Sequence, residues 1–286
     1  MTATNDEPKR MQCMEVWGGN HAVDTGVIMA GLDAWLYSRP HGEGEAGGDI
    51  HYVSSCAAGM LTRLLVADVS GHGPAVSEVA GNLRKLMRQY INYTDQSQFV
   101  HEIDREFAEL KKNPGAFATA VAITFESVGN RFLMCNAGHP PPLRFHKRKR
   151  KWMPMIRAAD DDSIADIPLG IDSSGCYNQF QTNLEVGDLV LCYTDSLIES
   201  RDRNGEMFEV KGLLNILSEI DTRDLSQIIP SLLKKIEQSH EGNLKNDDVT
   251  VLLFRPNGML PKIPMRNWLM VPYHLIQSRF NRMRGQ

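Results

Sequence analysis

The sequence predicts an α+β fold on largely antiparallel sheets, and three observations carry that prediction. Two long stretches repeat apolar residues at three- and four-residue spacing, the period of amphipathic helices. Short β-rich runs elsewhere are joined by turn-forming residues in hairpin fashion. Acidic segments of one kind come from residue 49 and from residue 247, so a single unit must span both. Helices set between hairpin-rich stretches belong to the α+β class.

The elements follow in order. Residues 1–10 are polar and lack the apolar core of a signal peptide, and residues 1–14 are expected to be a disordered tail. First strands are expected near 27–30 and 34–37, and a glycine-rich loop over 42–48 leads to Asp49. After a turn at Asp68, Pro74 suits the first position of a helix. Val76, Val79, Ala80, Leu83, Leu86, Met87 and Tyr90 form that helix's apolar face. A second helix over 97–111 turns Phe99, Val100, Ile103, Phe107 and Leu110 inward. Strands are expected at 118–125 and 131–136 about a turn at 127–130, and at 143–146 and 152–156 about the basic turn 147–151. The stretch 159–166 reads as an acidic loop, with further strands at 177–184 and 189–194. Helices over 209–220 and 224–239, the second bent or divided at Pro230, precede a last strand at 249–255. One domain, 15–257, is expected, followed by an extension over 258–286.

At 286 residues, with 42% hydrophobic and 23% charged residues, the composition is that of a globular protein with ample core. A net charge of −4 makes no general case for nucleic-acid binding, and no nucleic-acid partner is expected. The cysteines Cys13, Cys56, Cys135, Cys176 and Cys192 form no Cys-x-x-Cys pair, which favours a reducing cytoplasm over a disulfide framework. No run approaches the roughly 18 apolar residues of a membrane-spanning helix.

Four short segments centre on aspartates: Gly47-Gly48-Asp49, Asp68 with Val69-Ser70-Gly71-His72-Gly73, Thr194-Asp195-Ser196, and Asn246-Asp247-Asp248. Three sit where a strand-like run meets a turn, and strand ends deliver side chains to one rim of a sheet. Carboxylates gathered on one rim repel each other unless cations lie between them. All-oxygen ligation of that kind suits Mg²⁺ or Mn²⁺ rather than zinc or copper. Alone, each segment has an ordinary reading: a helix-capping turn at Asp68, common turns at the glycine and aspartate pairs.

Together and in this order, they resemble the metal-dependent PPM protein serine/threonine phosphatases in the bacterial SpoIIE-type branch. The matching pieces are Gly-Gly-Asp (47–49), Ala-Asp-Val-Ser-Gly-His-Gly (67–73), Phe-Ala-Thr-Ala (117–120), Asn-Ala-Gly-His-Pro-Pro (136–141), Pro-Leu-Gly (168–170), Gly-Asp-Leu-Val-Leu-Cys-Tyr-Thr-Asp (187–195) and Asp-Asp-Val-Thr (247–250). The resemblance implies a four-layer α-β-β-α sandwich, two stacked and mainly antiparallel sheets flanked by helices, with a two-metal site at one end. It implies that Asp68 bridges two ions, Mn²⁺ or Mg²⁺, and that Val69 offers its backbone carbonyl. Asp49 and Asp195 would ligate from opposite sides and Asp247 would hold the second ion, with Asp68 and Asp195 as the catalytic residues. Asp248 matches a position that is Asn in some relatives and ranks below Asp247. The implied reaction is hydrolysis of phosphoserine or phosphothreonine on a protein by a metal-bridging water, without a covalent enzyme intermediate. A phosphorylated anti-sigma-factor antagonist of a partner-switching pathway is the substrate that the resemblance suggests.

The chain departs from the family at Ser196, where relatives usually have glycine. Serine takes a positive φ less cheaply, which weakens the expectation of metal at that corner. Ile50-His51-Tyr52 also removes an accessory carboxylate found in many relatives. His72 is read as a turn or helix-start residue rather than a general acid, His139 as fixing a loop, and Thr119 as packing. A regulatory module that binds metal poorly, and a hydrolase of small phosphoesters or nucleic acid, are the rival readings. The turn His146-Lys147-Arg148-Lys149-Arg150-Lys151 is read as solvated, with recognition of an acidic partner as its alternative. The extension carries Lys262, Arg266, Arg279, Arg282 and Arg284 and no acidic residue, interleaved with Trp268, Leu269, Leu275, Ile276 and Phe280. Such a segment lies on an anionic membrane surface or a partner, or packs back on its own domain. The expected location is cytoplasmic, with peripheral membrane contact through that segment.

Overall fold

Two stacked sheets dominate the computed structural model, which describes residues 8–11, 16–42, 44–56, 59–71, 74–91, 93, 95–110, 115–156, 166–172 and 176–260. In chain order the strands are β1 (Lys9–Arg10), β2 (Val16–His21), β3 (Val23–Ile28), β4 (Leu32–Arg39), β5 (Ala46–Cys56), β6 (Leu61–Val69), β7 (Ala118–Glu126), β8 (Arg131–Ala137), β9 (Leu143–His146), β10 (Lys151–Pro154), β11 (Gln179–Asn183), β12 (Leu189–Tyr193) and β13 (Val249–Pro256). The helices are α1 (Pro74–Tyr90), α2 (Gln96–Leu110), α3 (Ser196–Glu199), α4 (Glu209–Ser218) and α5 (Ile228–Ser239). One sheet has the order β1-β3-β4-β13-β12-β9-β10 and the other β11-β8-β7-β6-β5-β2. Apart from the short parallel pair β1–β3, the strand pairs are antiparallel among the described residues.

The sequence places apolar side chains on both faces of the central strands, and this is what builds four layers. Leu36, Val66, Ile123, Phe125, Phe132, Val190 and Phe254 fill the space between the sheets, with Phe132 stacked on Phe254 at 6.3 Å. On the outer face of the second sheet, Leu83 and Met87 of α1 and Phe99, Ile103 and Phe107 of α2 cover Ile50, Tyr52 and Leu65. On the outer face of the first, Leu213 and Leu217 of α4 and Ile228, Leu232 and Ile236 of α5 cover Leu189, Leu191, Val251 and Leu253. Each such side chain contributes about 1.5–3 kcal/mol when fully buried. The α+β sandwich with mainly antiparallel sheets is therefore the observed architecture.

Three expectations about the chain change. The tail over 1–14 is not disordered throughout. Lys9 and Arg10 pair with Val27 and Ile28, the Met11 N–H donates to Ile28 O at 3.0 Å, and the Met11 side chain is buried. Such a strand is held by backbone bonds and by Lys9 over the Trp17 ring at 5.5 Å, features that a polar sequence conceals. Pro230 neither bends nor divides its helix. It is the third residue of α5, where no intrahelical N–H bond is required, and a 3₁₀ turn over Leu225–Gln227 precedes it. Asp49 lies inside the long strand β5 rather than behind a loop. The remainder of that tail (1–7, 12–14), Glu15, His72, most of the acidic stretch 159–166, and residues 261–286 lie outside the described residues.

The Gly187-Asp188 pair serves the fold. Gly187 takes a φ of 95°. The fully buried Asp188 accepts from the Glu185 N–H (3.0 Å), the Lys147 N–H (2.9 Å) and Arg144 Nε (3.1 Å), tying the β9–β10 hairpin to the start of β12. Burial raises its pKa, but the bonds from Glu185, Lys147 and Arg144 outweigh burial and hold it below the usual carboxylate range. A depressed folded pKa means that this stabilisation is present at neutral pH and is lost as pH falls through the folded value. Asp188→Ala should cost roughly 3–5 kcal/mol in urea unfolding at pH 7. The gap to wild type should narrow in acid, and a gap constant with pH would contradict this role.

Candidate metal centre

Four carboxylates reach one end of the sandwich from different elements. Asp49 is the fourth residue of β5 and Asp68 the eighth of β6, one step beyond the Ile50–Ala67 pair of those neighbouring strands. Asp195 follows β12 and opens α3, and Asp247 precedes β13. One sheet thus supplies Asp49 and Asp68, and the other supplies Asp195 and Asp247. Val69 ends β6, and a Cβ built on Gly48 would stand 2.9 Å from its carbonyl oxygen. Only glycine lets these two strand ends approach so closely.

Electrostatics ties the four together. Burial, then repulsion from Asp68, holds Asp49 well above the usual carboxylate range. Burial and the fields of Asp195, Asp247, Asp248 and Glu199 push Asp68 up to about 8. Burial, Glu199 and Asp247 push Asp195 up to about 6. No cationic side chain is among the leading influences on any of the three. A corner of this kind favours protons or external cations. The donor set is all oxygen, which suits Mg²⁺ or Mn²⁺. Among the described residues, no three His, Cys, Asp or Glu side chains are grouped tightly enough to chelate one ion as they stand.

Asp248 does different work from Asp247. It is buried, and its carboxylate accepts from the backbone N–H of His41 (2.5 Å), Gly48 (2.5 Å) and Asp49 (3.2 Å). It fixes the strand that presents Asp49. Gly47 is required beside it, because a Cβ there would meet the Asp248 carboxylate at 2.4–2.6 Å. Behind Asp49, Thr194 Oγ1 donates to Asp49 Oδ2 at 2.9 Å and accepts the Thr250 N–H at 3.0 Å. The Thr250 hydroxyl in turn meets Ser38 Oγ at 2.9 Å. This relay crosses from one sheet to the other.

Ser196 does not occupy a positive φ; it is the first residue of α3, a conformation open to serine. Its buried hydroxyl has no partner among the described residues, and it lines a cavity of about 310 Å³ with Glu199, Arg201, His240 and Asp247. Thr119 pairs with Asp68 across β6–β7 and meets His139 Nδ1 at 2.8 Å. Burial lowers the His139 pKa to about 3, leaving the ring neutral, while Asn136 closes its loop through bonds of 2.7 and 2.8 Å. The sequence reading did not single out Glu199, Thr194 as the Asp49 donor, or the clamp made by Asp248. Glu199 stands four residues after Asp195 in Asp-Ser-Leu-Ile-Glu, a spacing that could have flagged it.

The chain and its fold match known proteins. The family model described as Stage II sporulation protein E (SpoIIE) matches residues 59–257, and the chain belongs to that family. Phosphoserine phosphatase RsbU of Bacillus subtilis (strain 168) is 23% identical over 197 residues, 68% of this chain and 55% of that protein. The chain thus matches about half the length of that curated relative. The structure of the RsbU and RsbW domains of Rv1364c from Mycobacterium tuberculosis superposes with a TM-score of 0.68 at 23% identity, covering 92% of this chain and 72% of that one. RsbX in complex with magnesium superposes with a TM-score of 0.59 at 15% identity, covering 82% and 100%.

The role of Asp248 and the glycines is open to a stability measurement. Gly47→Ala should destabilise by roughly 1–3 kcal/mol through overpacking. Gly81→Ala in α1, where an added Cβ meets nothing within 4 Å, should stabilise by up to about 1 kcal/mol. Equal urea midpoints for the two variants would contradict the clamp.

Proposed function

We propose that the protein is a divalent-metal-dependent protein serine/threonine phosphatase that hydrolyses phosphoserine or phosphothreonine on a protein partner. The observation that carries this reading is the meeting of Asp49, Asp68, Asp195 and Asp247 at one sandwich end, with burial and neighbouring carboxylates raising the first three. Asp49, Asp68, Asp195, Asp247 and the Val69 carbonyl would hold the ions. When bound, Mn²⁺ or Mg²⁺ supplies a nucleophilic water at neutral pH and offsets the charge of the phosphoryl oxygens. The residues of the chain do the positioning. Asp248 holds the strand of Asp49, the Thr194–Thr250 relay orients its carboxylate, and the roughly 310 Å³ cavity beside Asp247 leaves room for a substrate segment.

Membership in the SpoIIE family and similarity to a phosphoserine phosphatase support the reaction class. Similarity to a protein with RsbU and RsbW domains supports a phosphorylated partner-switching protein, an anti-sigma-factor antagonist, as substrate. The magnesium of RsbX supports a hard divalent ion. No described helix is long and apolar enough to cross a membrane; a cytoplasmic location with surface contact through the extension remains part of this proposal. One observation favours a second reading, a regulatory module that binds metal poorly: the side chains are not grouped for tight chelation as they stand.

Phosphate release from a phosphoserine protein separates the two. With Mn²⁺ or Mg²⁺ added, wild type should turn over and Asp68→Asn should lose roughly a hundredfold or more. Folded wild-type protein that releases no phosphate with either metal would favour the regulatory module.

A further inference from the structure

The basic turn between β9 and β10 has no part in the metal corner, yet it borders a cavity of its own. The cavity, about 430 Å³, lies between this hairpin and α4 and is lined by Arg150, Lys151, Lys211, Trp152, Phe145 and Leu214, among others. We propose that it binds a tetrahedral oxyanion carried on a small organic body, the chemistry of a phosphate monoester or a phosphonate.

Three cationic side chains, Arg150, Lys151 and Lys211, stand on its wall beside Asn215, Ser218, Asp221 and Thr222. Trp152 is 5% exposed and its indole Nε1 is withdrawn from the accessible surface, so its ring rather than its N–H meets the cavity. Lysine and arginine side chains can only donate. None of Arg150, Lys151 and Lys211 forms a close ion pair among the described residues. The carboxylate on the wall, Asp221, is engaged by Arg223 through Nε (2.9 Å) and Nη2 (2.5 Å), although Arg150 also lies within its electrostatic range. The Ser218 hydroxyl already donates to Asn215 O at 2.7 Å. An acceptor with several lone pairs would suit the three cations, since guanidinium and ammonium groups match phosphate oxygens.

The rest of the wall is apolar, and this sets the ligand's body. Phe145 packs against Trp152 at 5.4 Å between centroids, and Leu214, Leu217 and Ile220 extend the surface. The volume falls in the range of small-molecule sites, about 300–1,000 Å³, and exceeds what a bare phosphate ion needs. A ring or short aliphatic body against Phe145 and Leu214 would fill it. The site stands apart from the proposed phosphatase centre and does not depend on that activity.

The test follows the indole signals of the full chain in Mg²⁺ buffer by ¹H–¹⁵N NMR, with the Trp152 signal identified through Trp152→Phe. Phenylphosphonate, whose C–P bond resists hydrolysis, should move that signal saturably. Lys211→Glu, a change on an exposed helix face, should weaken binding at least tenfold, and Asp68→Asn should leave it unchanged. Absence of a saturable shift, or an undiminished shift in Lys211→Glu, would overturn the proposal. Inorganic phosphate binding as tightly as phenylphosphonate would overturn the organic body. Tighter binding of oligoglutamate would overturn the small-molecule assignment in favour of an acidic protein segment.

Discussion

Carboxylates withdrawn from water repel one another strongly, and the site end of this protein is built around that repulsion. Asp49 is 3% exposed and faces Asp68 from the neighbouring strand, while Asp195, Asp247 and Glu199 add their fields from the opposite sheet. Removing a charge from water without compensation costs many kcal/mol, so the arrangement persists only if protons or cations share the space. Asp248 shows the alternative. Its charge is satisfied inside the protein by three backbone N–H groups, and it acts as scaffold. Asp247 accepts the Asp248 N–H at 2.8 Å and adds its field to Asp68 and Asp195, so two adjacent aspartates take different parts.

Because the carboxylates come from both sheets, the packing between the sheets sets the site. The interlayer core, with Phe132 stacked on Phe254, fixes how β6 and β5 lie over β12 and β13. Close-packed interiors resist small slides, and here a slide would separate Asp68 from Asp195. The Thr250–Thr194–Asp49 relay makes the same coupling with hydrogen bonds. Glycines are needed where backbone meets backbone or carboxylate, at Gly47 and Gly48. In this way the glycine pair, the threonines and the Asp-Asp pair of the sequence become one mechanical unit.

Much of this was legible in the chain. Helices α1 and α2 announced themselves through apolar spacing, and the hairpins β7–β8 and β9–β10 through their turns. The fold class followed, because long helices between hairpins leave few other architectures. Strand β5 was not legible: His51, Ser54 and Ser55 are polar yet buried, so no apolar run marks it. Burial lowers the His51 pKa to about 4, which leaves a neutral ring that a strand interior can hold. Strand β1 was hidden for the opposite reason, since backbone pairing needs no apolar side chains. At the site, the aspartates could be picked out by their company, but the roles of Thr194 and Asp248 depend on contacts 145 and 200 residues apart. The doubt about Ser196 rested on a turn conformation that the chain does not adopt.

The central claim is that Asp49, Asp68, Asp195 and Asp247 together hold a pair of hard cations. Counting bound Mn²⁺ directly, by titration calorimetry with electron paramagnetic resonance of the free ion, tests it without reference to any substrate. The account predicts two ions per chain for wild type and at most one for Asp68→Asn, with the fold intact in both. Wild type that takes up no Mn²⁺ at millimolar concentration, or Asp68→Asn that binds as many ions as wild type, would contradict it.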